Sequence, residues 1–341
     1  MREGVASFFL PIAGLPAMAA MASTVPYLRT PRRRTTMKTL FRSALVVSTV
    51  ICLSTVAFAQ SGAITPDVVY GHKDGLALTF DVLKPSGTPN GASILFVVSG
   101  GWNSRWQPAS EVKTRWDPAL KKGFTVFVVR HGSAPRYNAA EAFGDIQRAV
   151  RFIRLNAKTY GVDAERLGIH GGSAGGHLSL MVGLNPDAGD PTQKDEVLRG
   201  SSKVAAVVAY YPPVDLRTQS GSSGKFPAKT TESFFYGDGL AVARAQERWP
   251  ALKLDEKERA AISPVMHVSS DDPPVLFVHG DADVVVDLNA SQTLLAALQA
   301  KQVTAELHVI PGAAHVFPDA AHAARAMDAL VAFFETHLAR D

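Results

Sequence analysis

With one cysteine in 341 residues, the chain can neither close a disulfide within itself nor build a cysteine metal centre. That residue, Cys52, lies in an apolar run, 44–56, too short to cross a bilayer, so no stable membrane anchor is expected. Its flank, Thr49-Val50-Ile51-Cys52, does not match a lipoprotein cleavage box. H-E-x-x-H, a P-loop and G-x-G-x-x-G are missing, which argues against zinc-protease, phosphate-loop and dinucleotide chemistry; no cofactor or metal is expected. No internal repeat or coiled-coil heptad occurs. The basic surplus is also narrower than it looks. Residues 1–59 carry seven Lys/Arg and one acid, Glu3, a net +6, so the chain's +4 becomes −2 once they are set aside. Nothing in that remainder points to nucleic acid.

Those first 59 residues read as a leader. From Met37 come Lys38 and Arg42, the apolar run, then Ala57-Phe58-Ala59 before Gln60. A basic n-region, a short h-region and an A-x-A site make a secretory signal peptide cleaved after Ala59, and the mature protein is expected to be secreted or periplasmic. Residues 1–36, ending in Arg32-Arg33-Arg34, fit a mis-assigned upstream start better than a long twin-arginine n-region. About 282 residues remain, enough for one large domain with its own core.

From residue 60 the chain alternates between two periodicities. Runs at 67–70 and 76–83 flank the turn Lys73-Asp74-Gly75 and read as an opening hairpin. Continuous apolar runs at 93–99, 125–130, 167–171, 204–210, 274–280 and 305–310 read as strands buried on both faces. Helical spacing marks 139–160, with Gly161 past its end, and 174–183, 288–302 and 320–338. Strands alternating with helices predict an α/β fold, a mainly parallel sheet with helices on both faces and ligands at the carboxyl ends of the strands. The stretch 212–272 breaks the rhythm: Ser/Gly-rich over 218–231, aromatic at Phe234-Phe235-Tyr236, then helix-compatible to Ala261. It reads as a lid insertion or as a plain surface loop.

Leu167-Gly168-Ile169-His170-Gly171-Gly172-Ser173-Ala174-Gly175-Gly176-His177 organises the whole. Glycines two residues to either side of Ser173, between a strand and a helix, give the G-x-S-x-G spacing of a nucleophile elbow. A serine hydroxyl needs a base to take its proton and a carboxylate to orient that base. Among ten histidines, His170, His177, His279 and His308 fall within strands or a helix. His315, reached through Pro311-Gly312-Ala313-Ala314, sits past a late strand. Asp283, with Asp281 as second choice, follows the strand 274–280. The order serine, aspartate, histidine is that of the α/β-hydrolases. Gly100-Gly101-Trp102-Asn103 after another strand offers backbone N–H groups for an oxyanion, as does Ala174 directly after the serine.

On Gly-Gly-Trp at 100–102, Gly-Gly-Ser-Ala-Gly-Gly-His at 171–177, Tyr-Pro-Pro-Val-Asp at 211–215, Ser-Pro at 263–264, Pro-Pro-Val-Leu-Phe-Val-His-Gly-Asp-Ala-Asp at 273–283 and Gly-Ala-Ala-His at 312–315, residues 67–338 resemble the exported esterase/lipase group of α/β-hydrolases. The group includes acetyl esterases and acetylxylan and feruloyl esterase-like proteins, and is related to the catalytic domain of prolyl oligopeptidases. The resemblance implies a triad of Ser173, Asp283 and His315, with oxyanion N–H groups from Gly101, Trp102 and Ala174. There are two departures. Ser99 stands where the family's loop usually begins with histidine, and Arg130-His131-Gly132-Ser133-Ala134-Pro135 replaces its usual Tyr-Arg-Leu-Ala-Pro; His131 lines the pocket or serves structure. Trp102, Trp106, Trp116 and Arg105 fit the rim of a cleft for a sugar or aromatic acyl group, or packing beneath the lid.

The expected activity is hydrolysis of carboxylic esters through an acyl-enzyme, on short-chain or carbohydrate esters, small or polymeric; no oligomeric state is assigned. A prolyl-oligopeptidase-like peptidase is the second reading, although no room exists for a propeller. The third is a non-catalytic exported binding protein on the same scaffold, which Ser99 favours and the complete set Ser173, Asp283 and His315 opposes.

Overall fold

The computed structural model describes residues 62–217 and 250–339. The leader, residues 1–59, and the part of the expected insertion over 218–249, including Phe234-Phe235-Tyr236, lie outside the described residues.

Eight strands form one sheet: β1 (Ile64–Lys73), β2 (Leu76–Leu83), β3 (Ser93–Val97), β4 (Thr125–Val129), β5 (Leu167–Gly172), β6 (Ala206–Tyr210), β7 (Val275–Gly280) and β8 (Ala305–Ile310). Their order is β1-β2-β4-β3-β5-β6-β7-β8. β1, β2 and β4 pair antiparallel and every later pairing is parallel. The hairpin closes through Asp74 and Gly75, both at positive φ (48° and 79°), the combination a two-residue turn needs to match the strands' twist.

The continuous apolar runs have a direct cause. Side chains alternate across a strand, and this sheet has a core on each face. In β4, Phe127 and Val129 enter one core while Val126 and Val128 enter the other. In β6, Val207 and Ala209 oppose Ala206 and Val208 in the same way. The first core is closed by α2 (Ala139–Leu155), α4 (Ala174–Leu184) and α6 (Leu288–Ala300), and the second by α1 (Ala109–Lys121) and α7 (Ala320–His337). α4 is buried along its whole length, which explains a sequence with no polar face.

Several details differ from the sequence reading. The stretch 139–160 is two helices, α2 and the single turn α3 (Ala157–Tyr160), broken at Asn156. α2 starts on a capping box, Asn138 accepting from the Glu141 N–H and Glu141 accepting from the Asn138 N–H. β8 is an edge strand whose side chains alternate in exposure, so it is not buried on both faces. α1 carries Trp116, which the sequence reading set on the rim of a cleft or beneath the lid, and with it Arg115. Its polar surface and internal Pro118 hide its helical period, yet Val112, Trp116, Ala119 and Leu120 form one buried stripe. α5 (Glu256–Ala261), capped by Asp255, belongs to the described end of the insertion. Val265 N–H donates to the Val214 carbonyl and Leu216 N–H to Ser263 Oγ, so this end is bonded to the segment after β6.

α7 holds the second core through Phe334, which is fully buried against Gly168 of β5; a Cβ at Gly168 would come within 2.5 Å of its ring. Phe334→Ala is expected to lower stability by about 3–5 kcal/mol, read as a lower urea midpoint at unchanged slope; a shift worth less than about 1 kcal/mol would mean that α7 contributes little to the core.

Candidate active site

Backbone crowding shapes the turn after β5. A Cβ on Gly171 would lie 2.4 Å from the Gly175 carbonyl group, and one on Gly175 would lie 2.7 Å from the Val97 oxygen. Strand and helix therefore meet backbone to backbone. Between them Ser173 adopts φ 54°, ψ −122°, a conformation an L-residue keeps only when its surroundings force it. Its N–H donates to the Tyr210 carbonyl. α4 starts at the next residue, so the Ala174 N–H precedes the helix's own hydrogen-bond ladder.

His315 Nε2 lies 3.0 Å from Ser173 Oγ, and His315 Nδ1 lies 2.7 Å from Asp283 Oδ2. An ionised carboxylate only accepts, so Nδ1 carries the hydrogen; in the neutral ring Nε2 then accepts from the serine hydroxyl. The structure thus brings together Ser173, Asp283 and His315 from the ends of β5, β7 and β8. The Asp283 side chain is buried, which opposes its charge, but hydrogen bonds from His279, His315 and the Val286 N–H hold it well below the usual carboxylate range. Its Oδ1 accepts from the N–H groups of Val285 and Val286. Asp281 does other work: its Oδ1 accepts from the Gly312 N–H at 2.6 Å and ties down the loop that carries His315.

The turn after β3 is a two-residue hairpin. Gly100 and Asn103 exchange both backbone hydrogen bonds, and Gly101 and Trp102 between them both have positive φ, 56° and 57°. Trp102 is strained there, and two histidines hold the turn. Trp102 Nε1 donates to His177 Nδ1 at 3.1 Å, while His177 Nε2 donates to the Ile262 carbonyl at 2.6 Å. At the turn's start, His131 Nε2 lies 2.9 Å from Ser99 Oγ and His131 Nδ1 lies 2.7 Å from the Gly132 carbonyl. A carbonyl only accepts, so Nδ1 bears the hydrogen and Ser99 Oγ donates to Nε2. The two departures noted in the sequence therefore touch: His131 reaches from the end of β4 to the serine that stands in histidine's place. Arg130 anchors that corner through a bidentate pair with Asp81, 2.7 Å on each arm.

A cavity of about 890 Å³ opens above Ser173. Ser173, His315, Gly101 and Trp102 line it, with Arg105, Arg115 and Trp116. Trp106 is exposed and donates to Asp67. Two residues without a role in the sequence reading stand close to the triad. His279 Nε2 is 3.3 Å from Asp283 Oδ2 and 2.9 Å from the Val286 carbonyl. It stands four residues before Asp283, the one cue the sequence held. The Tyr211 ring packs 4.6 Å from that of His315, and burial pushes its hydroxyl well above the ordinary tyrosine range. Among the described residues no group of three or more metal-ligating side chains occurs, and no helix is long and apolar enough to cross a membrane.

Burial pushes His170 down to about 3 and His177 to about 4. In the unfolded chain each would take a proton near pH ~6.5, so between that value and the folded one the unfolded state holds more protons and stability falls as the pH falls. The expected slope is about 1.4 kcal/mol per pH unit for each histidine. Urea midpoints at about pH 7 and about pH 5, a window above the ordinary carboxylate range, test this; equal midpoints would mean that both rings are solvated.

A family model, BD-FAE, matches residues 80–298. The curated protein Esterase LipC of Mycobacterium tuberculosis is 29% identical over 241 residues, covering 68% of this chain and 54% of its own. An acetylxylan esterase of Xylanibacter ruminicola is 33% identical over 94 residues, 28% of this chain and 19% of its own. The chain spans about half the length of the first curated relatives it matches. A solved structure titled as a truncated carbohydrate esterase from gut microbiota superposes with a TM-score of 0.64 at 24% identity, over 82% of this chain and 98% of that one. This likeness shows the α/β-hydrolase fold that the strand order and the two-sided core describe. With the family model spanning most of the sheet, the elbow and the loop of Asp283, the chain belongs to the BD-FAE family.

Proposed function

We propose that the protein is a serine-dependent carboxylic ester hydrolase. The observation that carries the reading is the continuous hydrogen-bond path from Ser173 Oγ through His315 to Asp283, at 3.0 and 2.7 Å, at the mouth of a cavity. Ser173 Oγ attacks the ester carbonyl while His315 Nε2 takes its proton. Asp283 holds the imidazole in the required tautomer and stabilises the imidazolium. Negative charge on the carbonyl oxygen meets the N–H groups of Ala174 and of the Gly101-Trp102 turn, aided by the positive end of α4. His315 then protonates the leaving alcohol, and a water activated by the same nitrogen releases the acyl group. The names of the relatives, among them an acetylxylan esterase and a carbohydrate esterase, favour short-chain or carbohydrate esters as substrates.

Export is part of the proposal, on the basic, apolar and A-x-A succession ending at Ala59. So is a lid formed by 212–272, whose described end reaches the oxyanion turn through the Ile262–His177–Trp102 hydrogen bonds.

Residues 60–341 are expected to hydrolyse short-chain nitrophenyl esters. Ser173→Ala should lose at least about ten-thousand-fold in kcat with little change in unfolding midpoint, and Asp283→Asn should lose on the order of ten-thousand-fold because it favours the wrong imidazole tautomer. A fluorophosphonate probe should add its mass to the Ser173 peptide. Failure of both turnover and labelling would sink the reading, and turnover of a prolyl amide in preference to esters would replace it with a peptidase. Export is checked separately by N-terminal sequencing of protein made in a secreting host, where an N-terminus other than Gln60 would count against cleavage after Ala59.

A further inference from the structure

The cavity above the elbow is biased toward positive charge, although the chain from residue 60 onward has a net charge of −2. Arg105 and Arg115 stand in its lining, and no aspartate or glutamate does among the described residues. Neither guanidinium has a hydrogen-bond or ion-pair partner there, whereas Arg130, Arg148, Arg151, Arg154 and Arg217 each hold a carboxylate.

Arg115 carries the argument. It lies on α1 beside Trp116, and its charge is felt inside the cavity at His170 and at Tyr211, the ring packed 4.6 Å from His315. The same cavity is lined by a row of aromatic rings: Phe96 lies 5.3 Å from Trp116 and 5.7 Å from His170, His170 4.3 Å from Tyr210, and Tyr210 5.6 Å from Phe317. This row bears no charge at neutral pH, since His170 stays unprotonated down to about 3. A flat or extended apolar body fits such a row, with one anionic group at its end for the cation. A guanidinium's fork matches a planar carboxylate, and one arginine balances one monoanion, where a phosphate dianion would leave charge uncompensated over the rings.

We propose that this aromatic-lined part of the cavity is a subsite for esters bearing a carboxylate, which pairs with Arg115 while the rings carry the body of the group. The proposal rests on the ester-hydrolase reading and narrows its substrate class. The carboxylate can belong to the acyl part, as in a dicarboxylic acid half-ester, or to the alcohol part, as in an acylated hydroxy acid.

Matched pairs of substrates separate these sources. For the acyl side, mono-4-nitrophenyl glutarate is compared with 4-nitrophenyl pentanoate; for the alcohol side, 3-acetoxybenzoate with phenyl acetate. In one pair the ratio of kcat/KM, anionic over neutral, should fall about tenfold in Arg115→Gln, the size of one charge-assisted contact, and further in Arg115→Glu. The change should lie mainly in KM and shrink at high salt. Ratios unchanged by Arg115→Gln in both pairs, or changed only by Arg105→Gln, would overturn the assignment. Calorimetry on the Ser173→Ala protein keeps the two proposals apart: tighter binding of the glutarate half-ester or of 3-acetoxybenzoate than of its neutral partner, lost in Ser173→Ala/Arg115→Gln, supports the subsite even if the wild type turns over no ester. Equal binding of both members of each pair removes it even if esterase activity is high.

Discussion

The contact between the backbones of Gly171 and Gly175 is the constraint on which the rest of this structure depends. It brings the end of β5 and the start of α4 to a separation that no side chain survives, and leaves Ser173 one way to turn. Because α4 then runs back under the sheet fully buried, its N-terminus is fixed at the rim together with the Ala174 N–H and, one turn on, His177. From His177 the constraint passes to Trp102 and so to the turn after β3. The serine and its proposed oxyanion donors are thus placed by one piece of packing rather than by separate loops.

Two buried histidines, His131 and His177, serve as uncharged couplers. Each donates from one ring nitrogen to an oxygen acceptor and accepts a hydrogen bond at the other, and each links two segments distant in sequence. Burial keeps such rings neutral by penalising the charged form. The cost falls on stability in acid, and the gain is orientation: a neutral imidazole with one nitrogen committed can present only an acceptor at the other. Ser99 and His131 together illustrate this. A short side chain on the turn leaves space for a ring from the neighbouring strand, so a histidine still braces the loop, approaching from β4 instead of from β3.

Much of the fold was legible because period and burial agree in a sheet with cores on both faces: 125–130 and 204–210 read as buried strands for the reason that they are. The Ser173, Asp283 and His315 positions were legible because each follows a strand in the hydrolase order. α1 was not, since Pro118 and a polar outer face mask the stripe formed by Val112, Trp116, Ala119 and Leu120. That miss also hid the place of Trp116, which lines the cavity from the buried stripe of a helix. β8 misled in the opposite way: Glu306 and His308 take its exposed positions, an alternation that its reading as a continuous apolar run passed over. The role of Tyr211 depends on a ring contact across 104 positions of chain, which no local pattern encodes, and that of His279 left only its four-residue spacing from Asp283 as a cue.

The open side of β8 bears on how the site behaves in time. Ser173 lies beyond a central strand flanked on both sides, whereas His315 follows a strand that, among the described residues, is hydrogen-bonded only to β7. Free energies of local opening are smallest at such margins and approach the global value only in the interior. Fraying of β8 would carry the imidazole away from the serine while both cores stay intact, so the interval over which the site remains assembled is set by the rim of the sheet and not by the stability of the whole.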